Sequence, residues 1–250
     1  SIMWANNETG VIQPIAELCE IAKARGYAFH SDAIQAVGKT PVNVREVPVD
    51  FLSISGHKFH APKGVGALYL REGTRFEPLI RGGGQEDGRR SGTENVPYIV
   101  GLGRAAELAY QGLEVDGHRG IMELRDHLEA RLCDEIEGVT LNGSREHRVP
   151  TCAHVSFEHC EGAGLLILLD EYGVQVSTGS ACMTGKQQPS HVQKAMGIDD
   201  AQAKSSLRIS LSSFTIRDEV DEAVEAIKRA VKKLRQVQGG GGMGPVVVYS

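Results

Sequence analysis

Phe51-Leu-Ser-Ile-Ser-Gly-His-Lys58 is the stretch whose reading decides the fold. Phe51, Leu52 and Ile54 make a short apolar run of strand length, and Ser55, Gly56 and His57 break it with turn residues. Lys58 therefore stands just past a buried strand, where its amine would project from the carboxyl edge of a sheet. Working outward, residues 27–31 read as a second short strand closed by Asp32, and residues 65–70 as a third. Between Pro14 and Ala24, Ile15, Leu18, Ile21 and Ala22 recur at helical spacing, with Gly26 at the C′ position. Helix and strand alternate, which predicts an α/β sheet, and ligands of such sheets sit at the carboxyl ends of the strands.

The pattern continues beyond this centre. Ile2, Met3 and Trp4 read as the end of a buried strand that starts before Ser1, so the chain is expected to be a piece of something longer. Residues 82–95, GGGQEDGRRSGTEN, are too polar and glycine-rich for regular structure and lead into helices over 97–112 and 119–136. A boundary is placed at 112–120, dividing a cofactor-type domain, 1–115, from a smaller α/β domain, 116–250. The second domain is expected to hold strands at 139–141, 152–157, 174–177 and 207–211, with a helix through 165–169. Thr215 to Asp218 has capping-box spacing, and Val220, Val224, Ile227, Val231 and Leu234 form the stripe of a long closing helix. Its basic residues, Lys228, Arg229, Lys232, Lys233 and Arg235, read as a solvated face complementing the helix dipole. Residues 239–250 read as a flexible glycine-rich tail.

Composition narrows the class of function. The chain of 250 residues is 41% hydrophobic, too apolar for disorder. Twenty-seven Lys and Arg against 32 Asp and Glu leave a net charge of −5, which argues against a nucleic-acid or anionic-lipid surface. Five scattered cysteines are not a disulfide framework, and no apolar run or secretory leader is seen, so a cytoplasmic protein is expected.

Two strand-end residues carry the chemistry. A lysine in a βα turn is by itself as readily a surface residue, but Asp32 ends a neighbouring strand and both side chains could converge on one edge. A carboxylate there would keep a pyridine nitrogen protonated while the lysine forms a Schiff base, which points to pyridoxal 5'-phosphate. Ser177-Thr-Gly-Ser-Ala-Cys182-Met-Thr-Gly185 sets Cys182 among small residues with no carboxylate and with Lys186 and His191 nearby. Such a thiol can ionise near neutral pH, although free cysteines also serve as small core residues. Cys152, His154, His159 and Cys160 offer metal-type ligands within nine residues. Strand alternation separates them, and Val155 and Phe157 read as core, so no metal site is expected.

WANNETG at 4–10, HSDAIQAVGK at 30–39, SISGHKFHAPKGVG at 53–66, RRSGTEN at 89–95 and STGSAC at 177–182, in that order, resemble the cysteine desulfurases of the nitrogen-fixation and housekeeping iron–sulfur type. The resemblance covers nearly all of residues 1–237. It implies a fold-type-I pyridoxal phosphate-dependent transferase of the class-V aminotransferase family, with a partial large α/β domain and a smaller C-terminal one. The family's chain begins well before Ser1, and the absent part would carry a phosphate loop and a ring-stacking histidine.

Carried over residue by residue, the resemblance makes Lys58 the cofactor-attachment lysine, Asp32 the partner of the ring nitrogen and Gln35 that of the ring hydroxyl. Ser55 and His57 would bind the phosphate, with Thr93 reaching a phosphate across a dimer interface. Asn7 would contact cofactor and substrate, and Arg208 would clamp the substrate carboxylate. Cys182 would take sulfur from L-cysteine as a persulfide, leaving L-alanine, and pass it to an acceptor such as an iron–sulfur scaffold protein. A homodimer, or a separate chain with the missing N-terminal part, would complete the site. Two alternatives stay open: a non-catalytic or split sulfur-relay module, and another enzyme of this fold such as a selenocysteine lyase.

Overall fold

The computed structural model describes residues 1–178 and 189–239. Cys182, Lys186 and all but the first residue of the expected tail lie outside the described residues. The chain forms two compact units, Ser1–Asn6 with Ile12–His118, and Asn7–Val11 with Arg119–Ser250.

The first unit is built on a four-stranded sheet in the order β1-β2-β3-β4, comprising Ile2–Met3, His30–Asp32, Phe51–Ser55 and Gly66–Leu70. The first three strands are parallel and β4 runs antiparallel to β3. Helix α1, Ile15–Ala24, buries Ile15 and Cys19, and its end is closed by Gly26 at a φ of 73°. The strand expected from residue 27 starts only at His30. Tyr27 is exposed and its N–H returns to the Ala22 carbonyl, so residues 25–27 finish the helix end.

Within the expected irregular stretch, Gln85–Gly88 forms a tight turn in which Glu86 and Asp87 take left-handed φ values of 50° and 53°. Helix α2, Val96–Asp116, then begins with Pro97 in its first turn, where a missing N–H costs nothing.

The second unit has a three-stranded antiparallel sheet, β5-β6-β7, of Val139–Leu141, Cys152–Phe157 and Ser206–Ser210. All six residues of β6 are buried. Ala153, Val155 and Phe157 join Leu207 and Ile209 in an apolar core closed by α3, Arg119–Glu135, α4, Gly162–Glu171, and α7, Arg217–Gly239. Alternation sends Cys152, His154, Ser156, Ser206 and Arg208 to the opposite, polar face. Two short helices follow the undescribed segment, α5, His191–Ala195, and α6, Asp200–Lys204, each capped by the residue before it, Ser190 and Asp199.

Val220, Val224, Ile227 and Val231 are buried along α7 as the stripe requires, each contributing about 1.5–3 kcal/mol. Its cap lies one residue later than the spacing suggests. Ile216 N–H donates to Glu219 Oε2 at 3.0 Å, so Glu219 closes the turn in place of Asp218. Lys228 pairs with Glu135 and Glu225, and Arg229 lies over the Tyr172 ring at 4.7 Å, local contacts in keeping with a structural role. Residues 174–177 do not form the expected strand. Val174 N–H bonds back to Leu169 at the end of α4, and among the described residues pairing reduces to a single bridge of Ser177 with Arg208.

Asn7–Val11 is held in the second unit by several bonds of its own. Val11 bridges Arg148, Val149 N–H donates to the Gly10 carbonyl at 2.9 Å, and the Cys152 thiol donates to the Glu8 carbonyl at 3.3 Å. Gly10 is required twice over. Its φ is 74°, and a Cβ there would come within 2.9 Å of the Cys152 Cβ. Beneath this segment Arg148 makes a bidentate pair with Glu129 at 2.5 and 2.6 Å, both side chains 6% exposed.

Candidate functional site

The expected site residues fall into two groups, one in each unit. In the first unit, parallel pairing of β2 with β3 sets Asp32, the last residue of β2, opposite Ser53, and β3 runs on to Ser55, so Asp32 and Ser55 both lie at the carboxyl edge of the sheet. Asp32 Oδ1 accepts from the Ile34 N–H at 2.9 Å, an Asx-type turn that fixes the carboxylate at the strand end. Past Ser55 the chain winds into a 3₁₀ turn, Gly56–Phe59, that carries Lys58 half-buried and places His57 in solvent. Ser55 Oγ and His57 Nδ1 are 2.9 Å apart. Gly56 makes the turn possible, because a Cβ on it would lie 2.9 Å from both the Ala61 Cβ and the Leu102 Cδ1.

Two members of the expected set stand differently. Gln35 Oε1 accepts from Lys39 Nζ at 2.5 Å, a contact one turn away that the sequence reading did not use. Thr93 is exposed in the loop before α2, and no bond recorded among the described residues joins it to Lys58, Ser55 or His57.

In the second unit, Arg208 leaves the middle of β7 and donates from Nη1 to the Asn7 carbonyl oxygen at 2.8 Å. The structure thus uses the backbone of Asn7, while its side chain belongs to an exposed residue. Arg208 Nε is buried and has no hydrogen-bond partner among the described residues. A buried guanidinium N–H without a partner is costly, and a carboxylate is the group whose geometry satisfies it.

Three of the four described cysteines have thiols pushed up from the ordinary value. Burial is the first cause pushing the thiols of Cys19, Cys133 and Cys160 up, and Cys152 spends its proton on the Glu8 carbonyl. Cys182 lies outside the described residues. The four metal-type ligands of 152–160 do not converge: Cys160 is in the apolar core and His154 lies between two amides.

The polar bed behind Arg208, formed by Asn142, His154, Ser156, Gln193, Gln202 and Ser206, was missed as a unit. Its one legible trace is the alternation of Cys152, His154 and Ser156 with Ala153, Val155 and Phe157. The other members come from elements far along the chain.

The family model for aminotransferase class-V matches residues 1–223. A cysteine desulfurase of Gluconacetobacter diazotrophicus is 48% identical over 237 residues, 95% of this chain and 59% of that protein. The chain therefore spans about three fifths of the length of the curated relatives it matches. Among solved structures, a NifS-like protein from Rickettsia africae superimposes with a TM-score of 0.83 at 34% identity, covering 92% of this chain and 61% of that one. A structure described as SspA in complex with cysteine gives 0.67 at 34% identity, covering 86% and 58%.

Proposed function

The chain belongs to the class-V aminotransferase family, and on that premise we propose that it serves as a pyridoxal phosphate-dependent cysteine desulfurase. Sulfur would pass from L-cysteine through an enzyme persulfide to an acceptor protein for iron–sulfur cluster assembly, with L-alanine released. The observation that carries the substrate side is the buried Nε of Arg208, which has no hydrogen-bond partner among the described residues, on a strand whose polar-face neighbours are Ser206 and Ser210.

The donor set of the first unit fits the cofactor. Lys58 would hold it covalently, Asp32 would keep a proton on the ring nitrogen, and Ser55 and His57, already hydrogen-bonded to each other, would take the phosphate. Lys39 occupies the oxygen end of Gln35, which leaves the NH2 end for a ring hydroxyl. When bound, pyridoxal phosphate supplies an electron-withdrawing ring that makes the substrate's α-proton acidic. Lys58, once displaced by the substrate amine, would accept that proton. Arg208 would bind the substrate carboxylate through Nε and its second terminal nitrogen, and Asn7 would line the same position.

Cys182 is the proposed nucleophile on the strength of its motif. Its thiolate attacks the substrate sulfur, an S–S bond forms as the C–S bond breaks, and the electron pair stays with the carbon skeleton, which takes up a proton. Residues 1–115 would act as the cofactor domain and 116–250 as the domain carrying Cys182. A cytoplasmic homodimer, or a further polypeptide, would bring Thr93 to a phosphate and complete the site. Among the described residues no helix is long and apolar enough to cross a membrane.

The test is an absorption spectrum of the purified protein followed by cysteine turnover. A visible Schiff-base band, alanine production, and loss of persulfide in Cys182→Ser with the band retained are expected. Absence of the band, or full sulfide release by Cys182→Ser, overturns the reading.

A further inference from the structure

The face of the second sheet that carries Arg208 is lined by uncharged polar side chains. Directly across the ladder stands His154, and residues paired in this way share a face with Cβ atoms about 4.5–5.5 Å apart. His154 and Gln193 are each 1% exposed. Asn142 Nδ2 lies 3.0 Å from His154 Nδ1 and donates to Ser156 Oγ at 2.7 Å, while Asn142 Oδ1 accepts from Gln202 Nε2 at 3.0 Å. On the other side of the ring the Gln193 amide lies 3.4 Å from His154 Nε2 and 2.9 Å from Ser206 Oγ.

These bonds specify a tautomer. Gln202 orients the Asn142 amide so that its NH2 faces Nδ1, and a neutral imidazole must then carry its proton on Nε2. Gln193 Oε1 is buried and without a hydrogen bond among the described residues; turning the amide over would let it accept that proton, with the Ser206 hydroxyl, which donates to the Ala203 carbonyl at 2.8 Å, turning to Oε1 as well.

Among the described residues the charged groups neighbouring this face are Arg208 and, on the Asn7–Val11 segment whose Glu8 carbonyl accepts from Cys152, the buried Glu8. The end of β5 contributes Asn142, β6 contributes Cys152 and Ser156, α5 Gln193, α6 Gln202, and β7 Ser206 with Arg208. The charged residues of the two short helices face solvent, where Lys194 pairs with Asp200 at 3.3 Å and where His191 and Lys204 are exposed. Helix α3, with Arg125 and Glu129, packs on the Val155 face. Burial first, and the Arg208 cation second, hold His154 down at about 4.

We propose that His154 is a positioning residue for Arg208, filling the place beside the guanidinium with a polar side chain that is not an acid, so that the anion reaching Arg208 is a ligand's carboxylate. An aspartate in that place would take the Nε donor in a charge-assisted bond. A leucine would leave the Asn142 and Gln193 amides unpaired in a dry interior. An imidazole bonded on both nitrogens satisfies the amides and leaves the cation unquenched. The inference rests on the reading of Arg208 as a carboxylate clamp.

Holoenzyme labelled with 15N-arginine and 15N-histidine tests it, with L-alanine as the probe. The Arg208 Nε–H signal is expected to shift on adding L-alanine in the parent and in His154→Asn, and to be insensitive in His154→Asp. In parallel, His154→Asp should raise the KM for L-cysteine at least tenfold with kcat within threefold, and His154→Asn should stay within threefold on both. A His154→Asp variant with parental KM and an L-alanine-sensitive Nε–H overturns the inference while leaving the desulfurase reading standing. L-Alanine binding as expected without cysteine turnover does the reverse. Should His154→Asp not fold, the histidine signals of the parent decide: an Nε2-protonated, uncharged ring from pH 8 to 5 is expected, and a charged ring at pH 7 overturns the proposal.

Discussion

Arg208 Nη1 donates to the carbonyl oxygen of Asn7 at 2.8 Å, joining two residues 201 positions apart. One end of the guanidinium is thereby tied to a backbone segment that the second unit also holds through Arg148, Val149 and Cys152, while its Nε is buried and has no hydrogen-bond partner among the described residues. A cation with one fork anchored and the other open is prepared to receive a planar anion.

Arg208→Ala is accordingly expected to weaken L-cysteine binding with little change in cofactor occupancy. Hydrogen bonds to charged groups contribute about 1.5–3 kcal/mol, or roughly 10- to 100-fold in affinity. Arg208→Lys should recover little of this, because one ammonium cannot both hold Asn7 and present a second planar donor. Substrate titration followed at the cofactor band checks both, and an unchanged affinity in Arg208→Ala would place the residue outside the site.

Lys58 should be the attachment point of the cofactor, because it alone follows a strand end with Ser55 and His57 beside it. Borohydride reduction and peptide mapping should mark Lys58, and Lys58→Ala should lose turnover. A label on Lys39 or Lys63 instead would rule out the assignment.

Removing one member of the Arg148–Glu129 pair should be costly. Both side chains are almost fully buried and the pair is bidentate, so Glu129→Ala leaves the buried guanidinium with only the longer, half-exposed Asp126 contact at 3.7 Å, at a cost of up to about 3–5 kcal/mol. Arg148 also bridges Val11, so the loss should loosen Asn7–Val11. Urea denaturation reads the first effect and amide hydrogen exchange at residues 8–11 the second. Wild-type stability with unaltered exchange would contradict both.

Stability should fall with pH in a window set by His154. Its native pKa is about 4, below the ordinary value of 6.5, so the unfolded chain binds a proton that the folded one refuses. The folded state is therefore favoured above pH 6.5, loses ground as pH drops toward about 4, and changes no further from this group below that. The full loss is on the order of 3 kcal/mol. Comparing the parent with His154→Asn by chemical denaturation at pH 7 and 4.5 isolates the contribution, and parallel behaviour of the two proteins would remove His154 as its source.

What the sequence determined by itself is what short-range pattern encodes. The run Phe51 to Ser55 is a strand because its residues suit one, and the glycine and polar residues after it stop that strand and put Lys58 in a turn. The stripe on α7 and the alternation along β6 follow from the periods of helix and strand, which any fold must respect. The tertiary structure decided everything that depends on which distant segment supplies the partner. Residues 174–177 have strand composition but among the described residues meet a neighbour at one point only, and the cap of α7 moved by one residue because Glu219 reached back to Ile216. Asn7–Val11 joined the second unit through Arg148, Val149, Cys152 and Arg208, contacts that no local propensity records. The bed behind Arg208 is likewise assembled from β5, β6, β7, α5 and α6. Burial converts isolated polar residues into a network only when those elements pack together, so its existence is a property of the fold and not of any stretch of chain.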